Sequence, residues 1–148
     1  MPLTTLDPTP ALVVIDLQKG IVADPVAHVV APAASLAKSF RQHDLPVVLI
    51  TKRRRSAFHD TGLDTLLRDL GVTQVVLAGV STSAGVESTA RSAHDHGYHV
   101  VLATDAMADQ DPDSHRHSIE RVFPKLGETA TSTEIIGLLD RTASQTRK

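Results

Sequence analysis

The sequence predicts a three-layer α/β/α domain with a mostly parallel sheet, and three observations carry that prediction. Four aliphatic runs, Ala11–Leu17, Pro46–Thr51, Gln74–Val80 and His99–Thr104, alternate with segments of helical periodicity. Those runs are apolar almost throughout, as strands buried on both faces are. Hydrophobic residues make up 41% of the chain and aromatic ones only 3%, so the core is built from Val, Leu, Ile and Ala. Strand–helix alternation closes as a parallel sheet with right-handed crossovers and helices on both sides. The 148 residues suit one domain around one core, and no linker, repeat or low-complexity tract divides them.

Each element has its own signal. ALVVIDL follows two prolines and precedes Lys19-Gly20, which reads as the first buried strand. Val29–His43 reads as a helix, with Leu36, Ala37 and Phe40 inward and Lys38, Arg41 and Gln42 outward. PVVLIT is the second strand. Asp60–Asp69 is a helix with a leucine face, ended by Gly71. QVVLAGV is the third strand. Ala84–His96 follows as a helix whose inner face is small (Val86, Thr89, Ala90, Ala93), so it lies close to the sheet. HVVLAT is the fourth strand. Asp111-Pro112 opens another helix, Asp as N-cap and Pro at the first helical position. Glu128–Ser132 reads as a short edge strand and Thr133–Thr142 as a closing helix, with a polar, frayed tail over residues 143–148.

Composition excludes several function classes. With no cysteine there is no disulfide, thiolate metal site or cysteine nucleophile. The formal net charge of −2 gives no basic surface for nucleic acid or an anionic membrane. The opening MPLTTLDPTP lacks a basic region followed by an apolar run, so it does not read as a signal peptide, and no apolar stretch spans a bilayer. The expected location is the cytoplasm and the expected partner a small molecule.

A Rossmann-like sheet of this kind binds ligands beyond the carboxyl ends of its strands, where strand order reverses. The polar residues expected at that edge are Asp16, Lys52, Ser81–Gly85 and Asp105. Asp16 reads equally as half of a structural salt bridge or, with Lys52, as a general acid or base. Ser81-Thr82-Ser83-Ala84-Gly85 enters a helix, where free amides and the helix dipole suit an oxyanion or a carboxylate; an ordinary N-cap by Thr82 or Ser83 fits as well. Lys52-Arg53-Arg54-Arg55 reads as a solvated loop or as one contact to a substrate carboxylate. The eight histidines make no convincing metal set. His115 shares a helix face with Ile119, toward the sheet or its rim. No histidine is placed by sequence to activate Ser81, Thr82 or Ser83 as a nucleophile.

These stretches resemble the isochorismatase-like hydrolases. ALVVIDLQKG is similar to that family's first strand, KRRRSAFHDTGLDTLLRDLGV to its central block, GVSTSAGVESTARSAHDHGYHVVLATDAMAD to its nucleophile turn and following strand, and HSIERVFPKLGETATSTEII to its closing region. The resemblance implies a catalytic Asp at Asp16, a catalytic Lys at Lys52 and a nucleophile position at Gly85. It implies a cis peptide near Val80-Ser81-Thr82 and oxyanion amides around Ala84 and Gly85. It also implies substrate contacts from Gln18, Phe58 and Ser81–Ala84. The cysteine itself is absent, which rules out amide hydrolysis through a thioester. Isochorismatases proper also carry Gly at that position, and by that likeness Asp16 would protonate a vinyl ether while Lys52 tunes it and water adds. TSAGVESTAR looks more like the cysteine-hydrolase branches, so an inactive member used for binding or assembly is the alternative. In the relatives a long loop and a further strand separate the second strand from the Lys; here PVVLIT runs straight into KRRR. That region also holds the metal ligands of the nicotinamidase branch, so neither metal nor cofactor is expected. A homo-oligomer, dimer or larger, is expected from the family.

Overall fold

The computed structural model describes residues 2–17, 27–50, 56–59 and 61–146, with the backbone alone at 27 and 143–146. Gln18 and Lys52 therefore lie outside the described residues, as does Asp60.

Five parallel strands form one sheet in the order β2-β1-β3-β4-β5. They are β1 (Pro10–Ile15), β2 (Val47–Ile50), β3 (Gln74–Val80), β4 (His99–Ala108) and β5 (Glu128–Ala130). Helices α1 (Val30–Gln42), α2 (Leu63–Asp69), α3 (Glu87–Asp95), α4 (Pro112–His117) and α5 (Ser132–Thr146) connect and cover them. The fold class predicted from the alternating pattern is the one found.

Alternation along each strand divides the core into two layers. Ala11, Val13 and Ile15 of β1 meet Leu63 and Leu67 of α2 and Ala90 and Ala93 of α3. Leu12 and Val14 face the other way, onto Leu36 and Phe40 of α1 and Ile135 and Leu139 of α5. Every residue of β1 and β3 is buried, which explains why both read as unbroken apolar runs.

Gly79 is required where β1 and β3 touch. It pairs with Ile15 at a φ of 121°, and a Cβ there would stand 2.6 Å from Ile15 N and closer still to Ile15 O.

Several boundaries differ from the sequence reading: β1 ends at Ile15 rather than Leu17, α2 begins at Leu63 rather than Asp60, and α3 begins at Glu87 rather than Ala84, after the turn that precedes it. β4 continues past Thr104 to Ala108, because its register with β3 shifts between Leu77 and Gly79. α5 reaches Thr146, so the tail expected to fray from residue 143 is helical that far. β5 stops at Ala130, since Ser132 already begins α5.

Candidate active site

The order β2-β1-β3 makes the carboxyl ends of β1 and β3 the point where strand order reverses. Asp16 follows β1 directly. Its amide donates to Ile50 O at 2.9 Å, and its φ of 52° lies in the left-handed region that Asp tolerates better than most residues. Since Ile15 pairs with both Gly79 and Ile50, Asp16 sits at the level of Val80 on one side and the end of β2 on the other.

Beyond β3 the Val80–Ser81 peptide is cis, at the place the resemblance implied. Thr82–Val86 then form a π turn that leads into α3. The amides of Ala84 and Val86 both donate to Ser81 O at 3.1 Å, and that of Ser83 donates to Asp109 Oδ2 at 2.9 Å. The sequence pattern offers these as free donors; in the structure the Ala84 amide is taken by the turn itself and the Ser83 amide by Asp109, beyond β4. Gly85 is buried. Its carbonyl accepts from Thr89 Oγ1 at 2.7 Å, and the same hydroxyl accepts from Ala57 N at 2.9 Å. Ser56 Oγ donates to Ser92 Oγ at 2.8 Å. Thus the stretch that follows Lys52 in sequence is tied along α3, beginning one helical turn from Gly85.

An expected edge residue, Asp105, and an expected substrate contact, Phe58, sit elsewhere. Asp105 lies inside the lengthened β4, where Ser132 N and Oγ donate to its two oxygens at 2.7 and 2.6 Å, so it anchors the start of α5. Phe58 stacks on His96 at 5.0 Å between ring centroids and approaches Tyr98 at 5.8 Å. Both rings belong to the α3–β4 turn, at the far end of α3 from Gly85.

Sequence reasoning missed a polar cluster at the edge. Thr82 Oγ1 and His115 Nδ1 share a hydrogen bond of 2.7 Å, although Thr82 is fully buried. A histidine therefore does stand beside one of the three candidate hydroxyls, but that hydroxyl is closed to substrate. Ser83 Oγ donates to Asp109 Oδ2 as well. Burial opposes ionisation of Asp109, but the two Ser83 donors, the Asp111 amide and nearby His115 more than offset it and hold the carboxyl below its usual range. Burial pushes the His115 imidazole below its usual 6.5; Asp109 opposes this and His28 adds to it. A hollow of about 240 Å³ beside the cluster is lined by His28, Ala108, Asp109, Gln110, Pro112 and His115. The available signal was Asp111-Pro112, which fixes the start of α4 and hence points His115 inward one turn later. Among the described residues no group of three or more His, Asp or Glu side chains is placed to hold a metal ion.

The chain is thus a doubly wound parallel α/β fold, with an acid after β1 and a turn into α3 after β3 at its strand-order reversal. The chain belongs to the isochorismatase-like hydrolase family. The isochorismatase domain profile matches residues 48–134, a span that contains Gly85 and the position of Lys52 but not Asp16. An uncharacterized isochorismatase family protein of Bacillus subtilis, YwoC, is 32% identical over 173 aligned positions, covering 85% of this chain and 92% of that one. The maleamate amidohydrolase of Pseudomonas putida is 34% identical over 84 residues, 57% of this chain but only 39% of that enzyme. A solved isochorismatase family protein of Burkholderia thailandensis superposes with a TM-score of 0.88 at 34% identity, covering 92% of this chain and 98% of that one. The alignment with YwoC has more positions than this chain has residues, so that relative carries internal residues that this chain lacks. Among the described residues no helix is long and apolar enough to cross a membrane.

Proposed function

We propose that the chain hydrolyses a small carboxylated metabolite without a covalent enzyme intermediate, with Asp16 as the acid and Lys52 assisting it. The observation that carries this reading is positional. Asp16 closes β1 beside the strand that turns into Gly85, at the reversal of strand order, in a chain that contains no cysteine. Acid catalysis with water as nucleophile needs no side chain at Gly85. A vinyl ether suits such a site. Asp16 gives its proton to the vinyl carbon, and water bonds to the oxygen-bearing carbon of the resulting cation. The water's proton returns to the Asp16 carboxylate, and the hemiketal splits into an alcohol and a carbonyl compound, with one water consumed.

The test uses isochorismate and follows release of pyruvate. Turnover is expected from the native chain, with a loss of about 100-fold or more in Asp16→Ala, the usual scale of general acid catalysis. A second reading, an inactive family member used for binding or assembly, is favoured by the Ser83 and Ala84 amides, which are already hydrogen-bonded within the chain. Silence of the native chain and of Gly85→Cys across isochorismate and a broad hydrolase panel would select that second reading.

A further inference from the structure

We infer that the hollow at the end of β4 is a second ligand site, distinct from Asp16, which takes an uncharged planar ring presenting an N–H beside a carbonyl, as a lactam does. The strands fix its place. Val80 pairs with Ala108 at the carboxyl ends of β3 and β4, and Val29 packs on both together with Leu17, the residue after Asp16. That small apolar cluster reaches from the neighbour of Asp16 to the wall of the hollow, so the two share one edge of the sheet as separate places. The lining comes from His28 ahead of α1, from Ala108, Asp109 and Gln110 at the end of β4, and from Pro112 and His115 of α4. A volume of about 240 Å³ lies just under the ~300–1,000 Å³ of ordinary ligand pockets, so it suits one ring rather than a larger metabolite.

The polar groups of the hollow are set before any ligand arrives. Thr82 is fully buried, and its hydroxyl has one hydrogen-bond partner among the described residues, His115 Nδ1. A buried hydroxyl keeps its proton in a hydrogen bond, so Thr82 donates and Nδ1 accepts. The proton of the neutral imidazole then sits on Nε2, across the ring from Thr82 and on the side of the hollow. Burial holds this imidazole below its ordinary 6.5, so at neutral pH the ring is an uncharged donor.

Asp109 is the matching acceptor, its carboxyl held below the usual range and so ionised at the same pH. Oδ2 accepts from Ser83 N and Oγ, and Oδ1 accepts from Asp111 N at 3.1 Å. A carboxylate has about four acceptor positions, which leaves one on Oδ1 for a ligand. Donor and acceptor together select the ligand's charge. An anion would meet His115 Nε2–H but face the Asp109 carboxylate. A cation would meet Asp109 but turn no acceptor to His115. An uncharged lactam edge satisfies both, its N–H on Asp109 and its C=O on His115, with Ala108 and Pro112 as apolar surface for the ring.

Nuclear magnetic resonance of the isotope-labelled native chain reads the tautomer directly: His115 Nε2 should carry the proton. Added 2-pyridone should then shift the His115 ring nitrogens and the Asp109 and Gln110 amides, saturating in the millimolar range. N-Methyl-2-pyridone, benzoate and benzylamine should each bind about tenfold more weakly or worse, the scale of one hydrogen bond to a charged group. Asp109→Asn should weaken 2-pyridone to the same degree; if that variant does not fold, the ranking of the four probes on the native chain decides. A proton on Nδ1 would overturn the proposal. So would equal binding of the four probes, the absence of a saturable shift at His115, or shifts centred on Asp16 and Gly85 instead.

Discussion

The Thr82 hydroxyl and His115 Nδ1 lie 2.7 Å apart and join the turn after β3 to the first turns of α4. Because Thr82 is fully buried, its partner is structural in effect. Thr82→Val keeps the shape and leaves His115 Nδ1 facing a methyl group. The expected loss is about 1–3 kcal/mol, the cost of stranding a buried polar group. Thr82→Ser keeps the bond and should lose much less. Urea unfolding of the two variants checks this; equal losses would assign the effect to methyl packing instead.

Two groups in the same cluster predict how stability responds to acid. His115 is held below its ordinary 6.5, chiefly by burial. Below 6.5 the unfolded chain takes up a proton that the folded imidazole refuses, so stability is full above 6.5 and falls as pH drops toward the lowered folded value. Asp109 acts further down. Its carboxyl is depressed below 3.8 despite burial, so its contribution is full above 3.8 and is lost as pH falls through the folded value. Unfolding free energies measured against pH should show both declines. His115→Asn should flatten the upper one and Asp109→Asn the lower; a variant with the native slope in its own window would break the assignment.

Gly79 predicts the sharpest single loss. Its φ of 121° excludes a side chain, and the space where a Cβ would go is occupied by the backbone of Ile15 rather than by a side chain that could move. Gly79→Ala must therefore part β1 from β3 at the level of Asp16. The expected cost is more than about 4 kcal/mol, read as loss of soluble protein or of the cooperative thermal transition. Gly71→Ala also sits at positive φ, but meets nothing within 4 Å, and should cost far less.

The sheet was readable because its inner strands are buried on both faces, so that period and composition agree; β3 was read with its observed ends, Gln74–Val80. Errors arose where a distant partner decides the outcome. The polar Thr104 and Asp105 make β4 read as ending at Thr104, whereas it runs to Ala108. Thr104 Oγ1 donates to Ala130 O and Asp105 accepts from Ser132, partners brought by β5 and α5 that no local pattern announces. Ending the strand early placed Asp105 at the active edge and hid Asp109, which stands there. The Thr82–His115 pair joins residues 33 apart in sequence. Likewise, nothing local announces that the Ser83 amide meets Asp109, 26 residues on, or that the turn takes the Ala84 amide for itself, since a π turn has no sequence signature. Asp16 was placed at the strand edge from its own run, since its neighbours fix the strand around it.

Tyr98 tests the packing of α2 against the α3–β4 turn, and it is the only tyrosine in the chain. Burial, and then a 2.6 Å hydrogen bond from its hydroxyl to Asp64 Oδ1, push its pKa up from 10.0 to about 12, although Arg68 lies over the ring at 4.4 Å and opposes the shift. Between those values the folded phenol keeps a proton that the unfolded one has lost. Stability should therefore be full below 10 and decline as pH rises toward 12. Ultraviolet absorbance of the single phenol reads the titration without assignment. Its midpoint should lie well above 10 in the folded chain and fall back in Asp64→Asn, which removes the carboxylate but not the burial. Ionisation near 10 in a chain that still shows native circular dichroism would mean that Tyr98 does not donate to Asp64, and that α2 does not lie against the start of β4 as described.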